Sequence, residues 1–161
     1  MIIIVIGQSG SGKTTLCKNR FIKEPYEIRQ DITTYTECGN GVVAIGKYGI
    51  NIREEGTDTL PYNSQDKIVE QVKKLIQNGK TVLIEGDRIS SKRVFDELAK
   101  TGAECKLYLI SCSIKTSMER LRKANSKISK SFVKSTKTKT RRLYFEYKDI
   151  FNGEIIKEEG T

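Results

Sequence analysis

The sequence predicts an α/β fold: a three-layer sandwich with a mainly parallel sheet, a small β-hairpin insertion and a basic helical lid. Three observations carry this expectation. Short apolar runs of strand length alternate along the chain with stretches of helical periodicity. The first run, Ile2-Ile3-Ile4-Val5-Ile6, is unbroken and β-branched, as in a strand buried on both faces of a parallel sheet. Most of the net positive charge lies in one late segment, apart from the apolar runs. A length of 161 residues fits one domain spanning 1–161, with enough chain to bury a core without disulfides.

The elements follow in order. After the first strand comes the glycine-rich stretch Gly7 to Gly12, then a helix from Lys13 to about Lys23, ended by Pro25. Glu27 to Thr36 reads as extended. Cys38-Gly39-Asn40-Gly41 is a turn signal, and Val42 to Tyr48 reads as the returning arm of a hairpin. A loop rich in glycine and charge runs from Gly49 to Pro61. Asn63 or Ser64 caps the next helix, whose Ile68, Val72, Leu75 and Ile76 share one face, and Gly79 stops it. Thr81 to Glu85 is a second apolar strand. A short helix from Lys92 to Lys100 stops at Gly102, and Lys106 to Ser111 is a third strand. Ser113 caps a helix to about Ala124; a polar linker, Asn125 to Lys130, leads to a basic helix reaching about Asp149. Glu154 to Lys157 reads as an edge strand or as irregular chain.

Composition excludes several chemistries. The chain has no histidine, which removes a Ser-His-Asp hydrolase, a histidine-ligated metal and a histidine proton shuttle. Cys17, Cys38, Cys105 and Cys112 form no C-x-x-C pair, so a zinc ribbon or thioredoxin-like site is not indicated, and they read as reduced thiols. The longest apolar run is too short for a membrane span or signal peptide, so a cytoplasmic protein with no membrane partner is expected. Of the net charge of +9, Ser113 to Lys148 contributes twelve Lys or Arg against Glu119 and Glu146, leaving the other residues at about −1.

Gly7-Gln8-Ser9-Gly10-Ser11-Gly12-Lys13-Thr14 satisfies G-x-x-x-x-G-K-[ST], between a buried strand and a helix as the mechanism requires. Glycines let successive N–H groups converge on phosphates, and the helix beginning near Lys13 adds its positive dipole end. Gly7 to Thr15 are therefore the expected nucleotide-binding residues. Lys13 is expected on the β- and γ-phosphates and Thr14 on Mg²⁺, with ATP or GTP as the triphosphate.

Several other side chains are candidates for the chemistry. The strand ending Glu85-Gly86-Asp87-Arg88 places acids where a metal-holding carboxylate belongs: Glu85 or Asp87 holds Mg²⁺ or orients an acceptor, and Arg88 contacts substrate phosphate. Asp31, eighteen residues beyond Lys13, is a second candidate base. Asp58, in the longest loop, is a candidate substrate contact. In the basic segment Arg120 precedes a polar hinge, and Lys134 and Lys137 follow it, suiting a lid that closes over the triphosphate. The surplus of cations suits a polyanionic acceptor such as DNA or RNA, on whose bases interleaved aromatics could stack. At helical spacing, Phe132, Leu143 and Tyr147 read instead as core.

GQSGSGKT, the GTDTL loop, the IEGDR strand end and the late SFVKSTKTK stretch together resemble a small P-loop kinase of the nucleoside monophosphate kinase-like superfamily. The chain is most similar to compact phage-encoded nucleotide and DNA-base kinases. That resemblance implies the P-loop NTPase form of the sandwich and an ATP- and Mg²⁺-dependent transfer of the γ-phosphate to a nucleotide-type hydroxyl or phosphate. A hydroxymethyl-pyrimidine base in phage DNA is one such acceptor. Asp31 resembles, in placement, the base of polynucleotide 5′-kinases. A free nucleoside or monophosphate as acceptor, and a nucleotide-dependent binding module without transfer, are the alternatives. The sequence leaves oligomeric state open.

Overall fold

The computed structural model describes residues 1–49 and 55–157. Among these, seven strands form one sheet: β1 (Ile2–Gly7), β2 (Tyr26–Gln30), β3 (Thr34–Cys38), β4 (Val42–Ile45), β5 (Thr81–Glu85), β6 (Cys105–Ser111) and β7 (Gly153–Lys157). Their order across the sheet is β2-β3-β4-β5-β1-β6-β7. From β4 to β7 all pairings are parallel, while β3 is antiparallel to both β2 and β4. Five helices accompany them: α1 (Lys13–Arg20), α2 (Gln65–Gln77), α3 (Lys92–Lys100), α4 (Ile114–Lys123) and α5 (Lys130–Tyr147). Residues 50–54, part of the loop expected between Gly49 and Pro61, lie outside the described residues.

The two-residue period of β1 divides the core into layers. Ile2, Ile4 and Ile6 pack with Val72 of α2, Phe95 of α3 and Leu143 of α5 on one face. Ile3 and Val5 pack with Cys17 of α1, Ile22 and Tyr48 on the other. Each buried Ile or Val contributes about 1.5–3 kcal/mol. With every residue from Ile2 to Ile6 buried, β1 is a rigid platform for the loop that leaves it. The chain returns first to one side of β1 (β5) and later to the other (β6). The end of β1 therefore opens at the switch point where α/β sheets bind ligands.

Local chemistry explains the boundaries. Ser91, Ser113 and Ser129 cap α3, α4 and α5 by accepting the amides of Val94, Thr116 and Phe132. Gly79 and Gly102 take positive φ just past α2 and α3, as expected of helix stops. Ser64 precedes α2 but does not cap it; its hydroxyl donates to the Pro61 carbonyl instead. The helix expected to reach Lys23 ends at Arg20. The stretch Glu27 to Thr36, read as one extended run, is two strands folded back at Asp31. There Asp31 N donates to Thr33 O, and Gln71 of α2 accepts from Thr33 N at 2.9 Å.

Much of the basic segment belongs to the core rather than to a lid. Val133, Thr136, Thr140, Leu143, Tyr144 and Tyr147 are buried, so α5 is a core helix along much of its length. Phe132, expected in that core, is exposed because Val133 takes the inward position. The four cysteines are free and buried. Among the described residues, no helix is long and apolar enough to cross a membrane.

Candidate active site

Gly7 to Thr14 curl over the end of β1. Gly10 and Gly12 stand at φ +75° and +94°. A Cβ on Gly10 would lie 2.7 Å from the Ser117 carbonyl oxygen, so α4 packs directly against the loop. The Gln8 side chain points inward, donating to Cys112 O and Ser117 Oγ at 2.9 Å each. Gln8 thus anchors the loop, and its side chain is not in the cavity. Gly12, the N-cap of α1, has no capping side chain. The first-turn amides of α1 are then available to an anion, as helix N-termini are.

Lys13 donates from Nζ to the carbonyls of Gly7 and Gln8 at 3.0 Å each. Burial pulls its ammonium below the ordinary lysine value, and Glu85, Asp58 and Asp87 oppose that shift in turn. Thr14 Oγ1 donates to Glu85 Oε1 at 3.0 Å, and the buried Tyr48 hydroxyl donates to the same oxygen at 2.9 Å. Glu85 is 2% exposed. Burial pushes its carboxyl above the ordinary range, while Lys13, Tyr48 and Thr14 pull it back.

The chain around Glu85 is built to admit that carboxylate. Gly56 has φ +76°, and a Cβ there would meet Glu85 Oε1 at 2.2 Å. Gly56→Ala is therefore expected to displace the carboxylate and to destabilise the fold by about 1–3 kcal/mol through backbone strain. That would lower Tm by roughly 3–10 °C in a thermal melt. Thr57 Oγ1 donates to Glu85 O at 2.5 Å and fixes the turn into Asp87.

Two adjoining spaces meet over the loop. A cavity of about 270 Å³ is lined by the glycine-rich loop together with Lys13, Thr14, Thr15, Asp58, Glu85 and Asp87. A wider cleft of about 840 Å³ includes Asp58, Asp87, Arg88, Tyr62, Lys127 and Phe132. Ser9, Thr14, Asp58 and Asp87 border both. Arg88 donates to Leu60 O at 3.2 Å, lies 3.6 Å from Asp58 and sits 4.0 Å over the Tyr62 ring. Arg120 donates to Ser11 O at 2.9 Å, bracing the loop from α4.

Lys139 of α5 reaches Asp87 at 2.6 Å. From sequence Lys139 is only one of the cations of the expected lid; the small buried Thr136 and Thr140 mark the face of α5 that turns toward the loop. Ser9 N donates to Thr136 Oγ1 on that face. Tyr48 was missed, and no motif announces it.

Three expected residues are not brought to the site. Asp31 lies at the β2–β3 turn, bound to Lys74 at 2.9 Å and accepting from Gln71 at 3.0 Å; these bonds hold its carboxyl below the usual range. Lys137 donates to Cys112 O, and Lys134 lies in a separate groove between α4 and α5.

The donor set fits Mg²⁺. The Thr14 hydroxyl and the carboxylates of Asp58, Glu85 and Asp87 border the phosphate-loop cavity, offering the hard oxygens this ion takes beside substrate phosphates. Among the described residues, no cluster of three acids, cysteines or histidines is formed that would make an all-protein metal cage.

No protein-family model matches the chain, and no curated protein matches it. Among solved structures, deoxyadenosine kinase from M. mycoides with bound dCTP is similar at TM-score 0.49 and 11% identity, over 100% of this chain and 92% of that one. The same kinase with products dCMP and a flexible dCDP bound is similar at TM-score 0.49 and 11% identity, over 97% and 89%. At that distance the chemistry has to be read from this chain's own residues.

Proposed function

We propose that the chain is an ATP- and Mg²⁺-dependent phosphotransferase that moves the γ-phosphate to a nucleotide-type hydroxyl or phosphate. The observation that carries this is the continuity of the two spaces: a phosphate-loop cavity opens into a nucleotide-sized cleft through Thr14, Asp58 and Asp87. Lys13 and the first-turn amides hold the triphosphate. Thr14 and Glu85 are the residues that would hold Mg²⁺, which would offset the charge on the phosphate oxygens.

Asp87 borders both spaces and is the more open of the two strand-end acids, so it receives the acceptor's proton. The acceptor oxygen bonds to the γ-phosphorus as the bond to the bridging oxygen of ADP breaks. Arg88 and Lys139 lie beside that path, and Arg120 keeps the loop in shape. Tyr62 and Phe132, both exposed at the cleft, offer ring faces to an acceptor base.

A free nucleoside or monophosphate fits the cleft. The finer reading, a hydroxymethyl-pyrimidine base carried in DNA, is supported by the openness of the cleft beside the cationic α4–α5 segment. The test is incubation with γ-labelled ATP or GTP, a panel of nucleosides and nucleotides, and DNA with and without hydroxymethyl bases. Label should move to one acceptor class and require Mg²⁺. Nucleotide binding with no transfer to any acceptor would leave a binding module. In the same assay Asp31→Asn should change the rate less than two-fold, since Asp31 lies outside the cleft, whereas Asp87→Asn should cost about 10²-fold or more.

A further inference from the structure

Nine of the twelve cations between Ser113 and Lys148 form no ion pair with any described residue. Lys139 pairs with Asp87 and Lys148 with Asp149, while Arg120 is engaged at the phosphate loop through Ser11 O. So many uncompensated like charges on one segment raise its self-energy, and a single triphosphate cannot neutralise them. Four of them are gathered in one place. A groove of about 570 Å³ runs between α4 and α5, with Lys115 and Arg122 on one wall and Lys130 and Lys134 on the other. Ile114 and Met118 also line it, and Glu119 is its one acid among the described residues.

We infer that this groove is a docking site for a single-stranded nucleic acid, held by its phosphates. Concavity separates this from a lipid surface, because a flat bilayer cannot reach cations on the facing walls of a groove. Cations on both walls, with apolar Ile114 and Met118 among them, instead match a chain with charge on its backbone and apolar bases beside it. One exposed aromatic lies further along α5: Phe145 is half-exposed, with the Arg141 guanidinium 5.6 Å from its ring centroid.

The first turn of α5 separates this groove from the catalytic cleft. Ser129 and Phe132 border the cleft, while Lys130 and Lys134 border the groove. A strand seated between α4 and α5 therefore passes within one helical turn of the mouth where an acceptor base would enter. The docking itself does not depend on the phosphotransfer reading.

The test is fluorescence polarisation of a labelled 20-nucleotide DNA strand with the full chain, without ATP, across a salt series. Duplex DNA, RNA of the same sequence, polyglutamate and phosphatidylserine vesicles serve as competitors. Four phosphate contacts give a slope of log K against log salt of about −3. The variant Lys115→Glu/Lys130→Glu should bind the strand at least ten-fold more weakly with a shallower slope, while its Tm and its ATP binding stay unchanged. No binding by the native chain, equal binding by the variant, or displacement by polyglutamate or vesicles as readily as by DNA would overturn the assignment. Loss of phosphoryl transfer in the labelled-ATP assay would leave it standing, so the two readings fail separately.

Discussion

Lys13→Met should reduce phosphoryl transfer by at least about 10²–10³-fold, the usual cost of removing one fixed donor from the charge that develops in a transition state. Among the described residues Lys13 is the one ammonium lining the cavity bordered by Glu85, Asp58 and Asp87, and those carboxylates counter its desolvation. Methionine keeps the length of the side chain and much of its packing, but it cannot donate to the phosphates. It also surrenders the bonds to the Gly7 and Gln8 carbonyls. The loop has other supports, however: Gln8 is tied to Cys112 and Ser117, Ser9 to Thr136, and Ser11 O to Arg120. Tm is therefore expected to move by only a few degrees while kcat collapses and nucleotide affinity falls. Initial rates with labelled ATP, a nucleotide titration and a melt check this together. A variant that still transfers phosphate within three-fold of the native rate would remove the phosphate loop from the chemistry.

The parts of this fold legible in the sequence are those whose signals are local. β1, β5 and β6 are apolar runs, α3 occupies the expected span before its Gly102 stop, and the phosphate loop is a motif with fixed spacing. Asp31 misled because the turn at its position has no glycine or proline. It is made instead by tertiary bonds from Gln71 and Lys74, some forty residues away. Phe132 misled because helical spacing does not say which of two adjacent apolar residues turns inward, and Val133 does.

The basic segment was legible as charge but not as geometry. Lys139 differs from Lys134 and Lys137 only by its place on a helix whose rotation is set by buried Thr136 and Thr140. Tyr48 and Gly56 matter because of what lies opposite them across the fold, a buried carboxylate. Only the assembled structure shows that relation.

Glu85→Gln should separate stability from activity. Burial holds the Glu85 carboxyl above the ordinary carboxylate value of 4.5, so desolvation outweighs the attractions of Lys13, Tyr48 and Thr14. A carboxyl that binds its proton more readily in the folded chain than in the unfolded one adds stability that is fully present below the unfolded pKa. That contribution is lost as pH rises from 4.5 through the raised folded value. Above that window the native chain bears the cost of a buried charge. The glutamine variant does not, and its amide oxygen can still accept from Thr14 and Tyr48. The variant is thus expected to melt above the native chain at pH 8, with the two melting temperatures converging as pH falls through the window.

Transfer should move the other way, falling by about 10²-fold or more, with a higher Mg²⁺ requirement in what activity remains, because a neutral amide is a poor partner for a hard cation. Such a trade between stability and activity is the usual mark of a charge retained for function. Melts from pH 4 to 8 on both chains, beside Mg²⁺ titrations of the transfer rate, decide it. Equal pH dependence in the two melts would mean that Glu85 is not the desolvated charge its position requires. Unchanged Mg²⁺ dependence would pass the metal-holding role to Asp87.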